Sequence, residues 1–163
     1  MREFTTEEFL EALSAHKAWV NSHGLEGKQA DLSSAYLEGC NFSGADLSYA
    51  NLNGSFLFRA NFSGANLTGT LMQKTALWWA NMSNSILVDT DLYRAQLWHT
   101  NMSWSVMRNT RLEESSIAWI NIENAFVQNV DTDNVVYSEL DVQHYIWRHH
   151  DTKQKQTSAR CAD

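Results

Sequence analysis

The chain has 163 residues, of which 44% are hydrophobic, and a formal net charge of −7. The length predicts one domain, and a pI of about 5.3 without a basic stripe argues against direct nucleic-acid binding. No apolar run is long enough to span a membrane, and no secretory segment or cysteine framework is present in the sequence. We therefore expect a cytoplasmic protein without membrane contact.

Residues 1–29 are predicted to form a helix and a linker. Thr5 and Glu8 have the spacing of a capping box, and Phe9, Leu10, Leu13 and Val20 can share one apolar side of a helix over residues 5–22. The Asn-Ser-His-Gly sequence at 21–24 then ends the helix. We expect this helix to cap the exposed end of the repetitive body that follows, and a partner-binding helix is the alternative.

The body is a repeat of five residues. Apolar residues occupy every fifth position from Leu32 to Val127, twenty in succession, and small residues such as Ala30 and Ala35 lie two positions before them. Neither a helix, with 3.6 residues per turn, nor a straight strand, with a period of 2, places every fifth residue on one side. Short extended segments joined by corners do so, because each segment can point its small and its large residue inward.

A second period of 20 residues indicates four such segments per turn. Stepping by twenty from Cys40, the chain reads CNFSG, ANFSG, ANMSN, TNMSW and INIEN. Stacked turns would place Asn41, Asn61, Asn81, Asn101 and Asn121 above one another, where their amides can bond from turn to turn. Local turn bonding is the alternative for these residues. Gly39, Gly44, Gly54, Gly64 and Gly69 fall at the last position of the repeat, where a corner needs a positive φ.

The repeats ADLSS, ADLSY, ANLNG, ANFSG and ANLTG resemble the A(D/N)Lxx motif of the pentapeptide-repeat family, over about Ala30 to Val127. The resemblance implies an all-β solenoid, a right-handed quadrilateral β-helix with a filled core. For this chain it implies about five to six coils over residues 30–137.

The C-terminal part is predicted to close the body. Val130, Val135, Leu140 and Tyr145 are too bulky for the small column, so we expect coiling to end near Tyr137 and a helical cap to occupy 138–150. The resemblance implies that Tyr145, Ile146 and Trp147 provide a dimer contact, because some members of the family dimerise through such an element. We expect a disordered tail at 151–163. His144, His149, His150 and Cys161 match no standard zinc spacing, so no metal and no cofactor are expected.

Candidate binding residues lie on one side of the predicted prism, which we call the aromatic face. Its centres are Leu37, Leu57, Leu77, Leu97 and Ile117. The candidate partner-binding residues on it, or at the next corner in the case of Trp104, are Phe58, Trp78, Trp79, Trp98, His99, Trp104 and Trp119. We expect Phe58, Trp78 and Trp98 to form one vertical column, with Trp79, His99 and Trp119 in a second column beside it. Tryptophan is the residue most enriched at binding hot spots. We expect a protein partner, with a glycan as a weaker ligand, while rings that merely shield one another are the structural alternative.

The sequence thus predicts a non-catalytic binding module that acts by protein–protein association, and inhibition of a host enzyme is one form of it. The resemblance also implies an alternative, because some family members mimic DNA and bind the type II topoisomerase gyrase. Between Ala30 and Val142, however, twelve Asp/Glu and five Lys/Arg give a net charge of −7. Duplex DNA of the same length, roughly 29 Å, carries roughly 17 charges. A purely structural rod is the third alternative. No catalytic constellation is recognisable, and a filled prism offers no cleft.

Overall fold

The computed structural model describes residues 1–137. The predicted C-terminal cap at 138–150 with Tyr145, Ile146 and Trp147, and the predicted tail at 151–163, lie outside the described residues.

The first element is helix α1, Thr6–Asn21, and its N-terminus has the predicted capping box. The Glu8 backbone N–H donates to Thr5 Oγ1 at 3.2 Å, and the Thr5 N–H donates to Glu8 Oε2 at 2.8 Å. These bonds satisfy two backbone donors that have no partner within the helix. The predicted helix is confirmed, within one residue at each end.

The body is a solenoid in which each backbone segment pairs with the segment 20 residues later. Asn41 pairs in parallel with Asn61, Asn61 with Asn81 and Asn81 with Asn101. We number the turns as coils 1 to 5, for residues 30–49, 50–69, 70–89, 90–109 and 110–129. The regular strands are β1 (Ile86–Val88), β2 (Val106–Arg108), β3 (Ser116–Ile117), β4 (Phe126–Gln128) and β5 (Val136–Tyr137). They form parallel sheets of order β1-β2-β4 and β3-β5, and the other segments pair through single bridges.

The core is the interior of the coils. Every large inward residue from Leu32 to Leu112 is buried, and Phe62, Leu77 and Met82 have no exposed surface at all. Most of the small column is also buried, and its buried hydroxyls other than that of Ser115 have backbone acceptors: Thr100 Oγ1, for example, donates to the Leu77 carbonyl at 2.8 Å. Val130 is buried in this column with 6% of its surface exposed, so the column accepts a larger side chain than we expected.

The corners adopt the left-handed conformation at the last position of each repeat. The five predicted glycines do so, with φ between 64° and 68°, and so do residues with large side chains such as Trp79 (φ 61°) and Trp104 (φ 59°). A non-glycine residue in this region costs roughly 1–2 kcal/mol. The four-sided turn is therefore set by the repeat itself, and the solenoid tolerates the strain of large corner residues.

The N-terminal segment covers the first coil. The Arg2 backbone donates to the Ser34 carbonyl and accepts from the Tyr36 N–H, both at 2.7 Å. Gln29 Nε2 donates to the Tyr49 carbonyl at 2.6 Å, and the Phe9 ring packs edge-on against Phe42 at 5.4 Å between ring centroids. These contacts pair backbone groups that an open solenoid end would leave exposed.

The predicted asparagine ladder is present from Asn41 to Asn101, and local turn bonding accompanies it. Asn61 Nδ2 donates to Asn41 Oδ1, Asn81 Nδ2 to Asn61 Oδ1, and Asn101 Nδ2 to Asn81 Oδ1, each at 3.3 Å. The same Oδ1 atoms accept a backbone N–H two residues on, as from Ser83 to Asn81 at 3.2 Å. The two alternatives for these residues are thus both realised.

Replacing Asn81 with alanine is expected to lower the free energy of unfolding by about 1.5–4.5 kcal/mol, because three hydrogen bonds of about 0.5–1.5 kcal/mol each lose a partner. Urea unfolding followed by circular dichroism measures the loss. Ser83→Ala is the matched control, since Ser83 donates to Asn81 through a backbone N–H that alanine retains. A loss for Asn81→Ala no larger than for this control would contradict the ladder's contribution.

Candidate partner-binding surface

The aromatic face is built by the two residues that follow each buried centre. Leu57, Leu77 and Leu97 have no exposed surface, so the two positions after each of them project outward. Coils 3 and 4 place Trp78 and Trp98 in the first of these positions and Trp79 and His99 in the second. Six of the seven predicted residues therefore lie on one side of the solenoid.

The first column contains a stacked tryptophan pair. The Trp78 and Trp98 rings lie 5.6 Å apart with an interplanar angle of 19°, and 44% of the Trp98 surface is exposed. Trp98 Nε1 donates to Ser116 Oγ at 2.5 Å, which fixes the orientation of its ring. The buried Nε1–H of Trp78 has no acceptor among the described residues.

The second column lies at the corner. Trp79 stacks on His99 at 4.0 Å, and His99 stacks on Trp119 at 4.8 Å, with interplanar angles of 15° and 7°. Trp79 and Trp119 are 54% and 48% exposed. Because the rings are stacked along the solenoid axis, they cover one another's planes and present mainly their edges to solvent.

Below Trp78 the arrangement differs from the predicted column of Phe58, Trp78 and Trp98. Phe56 makes the ring contact to Trp78, edge-on at 6.5 Å, and Phe58 lies beside Phe56 at 6.2 Å. Tyr36 stacks on Phe56 at 5.3 Å and so extends the aromatic face into coil 1. The Arg59 guanidinium lies 4.9 Å from the centroid of the Phe58 ring.

Trp104 is separate from the aromatic face. It occupies the corner after Met102, one side of the turn further on, and is 61% exposed. Near it, on the side that holds β1, β2 and β4, Ile86 and Phe126 are 42% and 50% exposed. We did not predict this second apolar column from the sequence. Its residues recur at intervals of twenty, and they are Ile86, Val106 and Phe126.

The charges of the body lie mainly on a different side. The aromatic face carries Glu38, which accepts from the Tyr36 hydroxyl, and Arg59. On the side that precedes the aromatic face along the chain, centred on Leu92 and Leu112, Arg94 pairs with Glu114 at 2.6 Å. On the same side, Arg111 pairs with Glu113 at 2.6 Å. The hydrogen bond from Arg94 holds the pKa of the Glu114 carboxyl below its usual value. The aromatic face is thus close to neutral.

The described residues show little that supports catalysis. Within residues 1–137 there is no group of three or more His, Cys, Asp or Glu side chains that could hold a metal ion, and no helix that is long and apolar enough to cross a membrane. Burial raises the pKa of the Cys40 thiol, which opposes its action as a nucleophile. Two grooves of about 350 and 340 Å³ lie against α1 and include no residue of the aromatic face.

Comparison with known proteins agrees with this architecture. The family described as pentapeptide repeats matches with eight copies, over residues 28–64 and 60–97. No curated protein sequence matches. The crystal structure of the pentapeptide-repeat protein Rfr23 from the cyanobacterium Cyanothece 51142 is similar, with a TM-score of 0.59, 22% identity, and coverage of 68% of this chain and 91% of that chain.

Two further solved structures are more distant. A pentapeptide-repeat protein from the Arabidopsis thaliana thylakoid lumen has a TM-score of 0.42 and 21% identity, covering 72% of this chain and 69% of that chain. Full-length QnrB1, a plasmid-mediated fluoroquinolone resistance protein, has a TM-score of 0.32 and 16% identity, covering 73% and 88%. At 22% identity the likeness to Rfr23 concerns the fold alone, and we draw no conclusion from the two more distant structures.

Proposed function

Because this chain is a pentapeptide-repeat protein, we propose that it is a binding module. Members of this family are right-handed quadrilateral β-helices and are generally non-catalytic. The ligand of this chain is a protein partner, and the contact surface is the aromatic face. The observation that carries the proposal is the pair of stacked columns, Trp78–Trp98 and Trp79–His99–Trp119, on an outer side of the body.

The exposed area supports an interaction surface. An aromatic side chain buries about 150–250 Å² in a contact, so Trp79, Trp98 and Trp119, each near half exposed, still present about 300 Å² together. The half-buried Trp78, Phe58 and His99 add to this area. The largest apolar patch on a typical monomer measures about 300–600 Å² and is often functional, so a patch of this size suits an interaction surface.

The ring orientation favours a protein over a glycan. Sugars pack on the planes of aromatic rings. Here the rings of the aromatic face are stacked on one another with interplanar angles of 7° to 19°, so neighbouring rings cover those planes. The exposed ring edges carry partial positive charge and suit aromatic planes and oxygen acceptors on a partner. The near neutrality of this side also allows a protein surface to approach without repulsion.

Replacing Trp78 and Trp98 together with serine is expected to leave the fold intact and weaken partner binding by at least about 100-fold, since single hot-spot residues contribute about 2 kcal/mol or more. The partner is captured on the wild-type chain from extracts of the source organism, identified by mass spectrometry and purified. Its Kd for each variant is then measured by calorimetry, with circular dichroism as a check on folding.

Trp104→Ser is the matched control, because Trp104 is 61% exposed but lies at another corner. We expect its Kd to equal that of the wild type. An unchanged Kd for the Trp78/Trp98 double variant would reject the aromatic face as the binding surface. If no partner binds to any form, the structural rod is favoured instead.

DNA mimicry is the alternative, and the charge distribution does not favour it. Acidic residues of coil 5 such as Glu113 and Glu114 are paired with arginines, and the aromatic face is nearly neutral. A gyrase supercoiling assay tests this alternative, and inhibition that survives loss of both tryptophans would support it. A cytoplasmic location and a homodimer through Tyr145, Ile146 and Trp147 stay predictions, to be tested by fractionation and by analytical ultracentrifugation.

A further inference from the structure

A buried histidine joins helix α1 to the first coil. His16 has no exposed surface, although it lies on a helix that is otherwise half-buried or exposed. The backbone N–H of Ala30, the first residue of coil 1, donates to His16 Nδ1 at 3.1 Å. The imidazole also stacks on Trp19, with ring centroids 5.8 Å apart and an interplanar angle of 13°. The histidine therefore contributes directly to the contact between the cap and the body.

This geometry requires a neutral imidazole. Nδ1 accepts a hydrogen bond, so the ring proton is on Nε2, which is buried and has no partner among the described residues. A second proton could bind only at Nδ1. The Nδ1–H and the Ala30 N–H would then be two donors facing each other, and the hydrogen bond between them would be lost. The second proton would also bury a positive charge.

The surroundings offer the protonated ring little compensation. From coil 1 the charged group that acts on His16 is Asp46, whose Oδ1 already accepts from the Ser48 N–H at 3.0 Å and from Asn66 Nδ2 at 3.1 Å. Along α1 the neighbouring Lys17 is exposed, and in the linker Lys28 donates its backbone N–H to the Ala15 carbonyl at 3.0 Å. Both lysines add positive charge near the cap.

We propose that α1 is an acid-released cap, which protonation of His16 detaches from coil 1. Release would leave the Ala30 N–H and the Tyr49 carbonyl without their partners on the N-terminal segment and would open the edge of the first coil. The remaining coils keep their own hydrogen bonds, so the transition is local and the body stays folded.

The direction of the pH dependence follows from the burial of the ring. Burial lowers the pKa of His16, and the Asp46 carboxylate and the Ser48 backbone only partly oppose this shift. A histidine whose folded-state pKa is depressed stabilises the cap above its unfolded pKa of about 6.5. That stability is lost as the pH falls from about 6.5 through the folded-state pKa.

Amide hydrogen exchange of the full chain by NMR, expressed as protection factors, tests the proposal between pH 7.5 and 4.5. In the wild type we expect protection of Ala30 and of the α1 amides to fall at least tenfold, while protection of Leu77 and Asn81 in coil 3 is retained. In His16→Gln, which keeps an acceptor for Ala30 but does not titrate, we expect no fall above about pH 5. His23→Gln, at an exposed histidine just beyond α1, should behave like the wild type.

The His16 ring titration in the wild type gives a second readout that needs no variant. We expect its midpoint to coincide with the loss of α1 protection. Equal opening in the wild type and His16→Gln, or a ring that titrates without any loss of α1 protection, would overturn the proposal. A transition common to both forms at the acidic end of this pH range would assign the opening to carboxylates and would overturn the proposal equally.

Discussion

Replacing Phe62 with alanine is expected to lower the free energy of unfolding by about 3–5 kcal/mol. Phe62 has no exposed surface and stacks on Phe42 in the coil below, with ring centroids 4.7 Å apart and an interplanar angle of 2°. The coils cannot close over the cavity, because backbone bonds such as Phe62 N–H to the Asn81 carbonyl at 2.6 Å fix their separation. Urea unfolding followed by circular dichroism measures the change.

The control for this experiment is Met82→Leu in the same inward column, one coil higher. Met82 is equally buried, and the substitution nearly conserves volume, so we expect a loss below about 1.5 kcal/mol. If Phe62→Ala lost no more than this control, the coils would be collapsing around the missing ring, and the rigid stacking described above would be wrong.

Gly27→Ala is expected to detach or distort the cap, with a loss of about 3 kcal/mol or more. Gly27 has a φ of +71°, and a Cβ at this position would lie 2.2 Å from the Ala15 carbonyl oxygen and 2.8 Å from the Trp19 nitrogen. Both atoms belong to the backbone of α1, so the helix itself must move. That movement adds about 1–3 kcal/mol of overpacking to roughly 1–2 kcal/mol of left-handed strain.

Gly39→Ala separates the two contributions. Gly39 has nearly the same φ, +64°, but a Cβ there would meet nothing within 4 Å. We expect it to show the strain alone, about 1–2 kcal/mol. The readouts are helical circular dichroism and thermal unfolding of the two variants. Equal losses would show that α1 accommodates the methyl group and that its packing against the linker is loose.

Local patterns in the sequence were sufficient to predict the architecture. The capping box of Thr5 and Glu8 predicted the start of α1, because both partners lie within one turn of the chain. The five- and twenty-residue periods predicted the inward columns, the corners and the asparagine ladder. In a solenoid each coil contacts only its neighbours, so a repeat in sequence becomes a repeat in space.

What the sequence left open depends on contacts outside the repeat. His16 bonds to Ala30 across 14 residues, and no periodicity indicates that its ring would be buried. The ring contact to Trp78 comes from Phe56 and not from Phe58, because side-chain rotamers decide between two positions on the same side. Whether the exposed tryptophans bind a partner is a property of a complex and needs the experiments above.

The left-handed corners have a consequence for how such a molecule can evolve. A corner residue lies outside the filled interior and tolerates glycine, arginine, histidine or tryptophan, as Gly39, Arg59, His99 and Trp119 do at one edge. An exchange between glycine and another residue alters the strain by roughly 1–2 kcal/mol, exchanges among the other residues leave it nearly unchanged, and both kinds leave the packed interior untouched. Selection can therefore replace surface residues in one coil without affecting the others. Binding properties can then diverge quickly between homologues that keep the same scaffold.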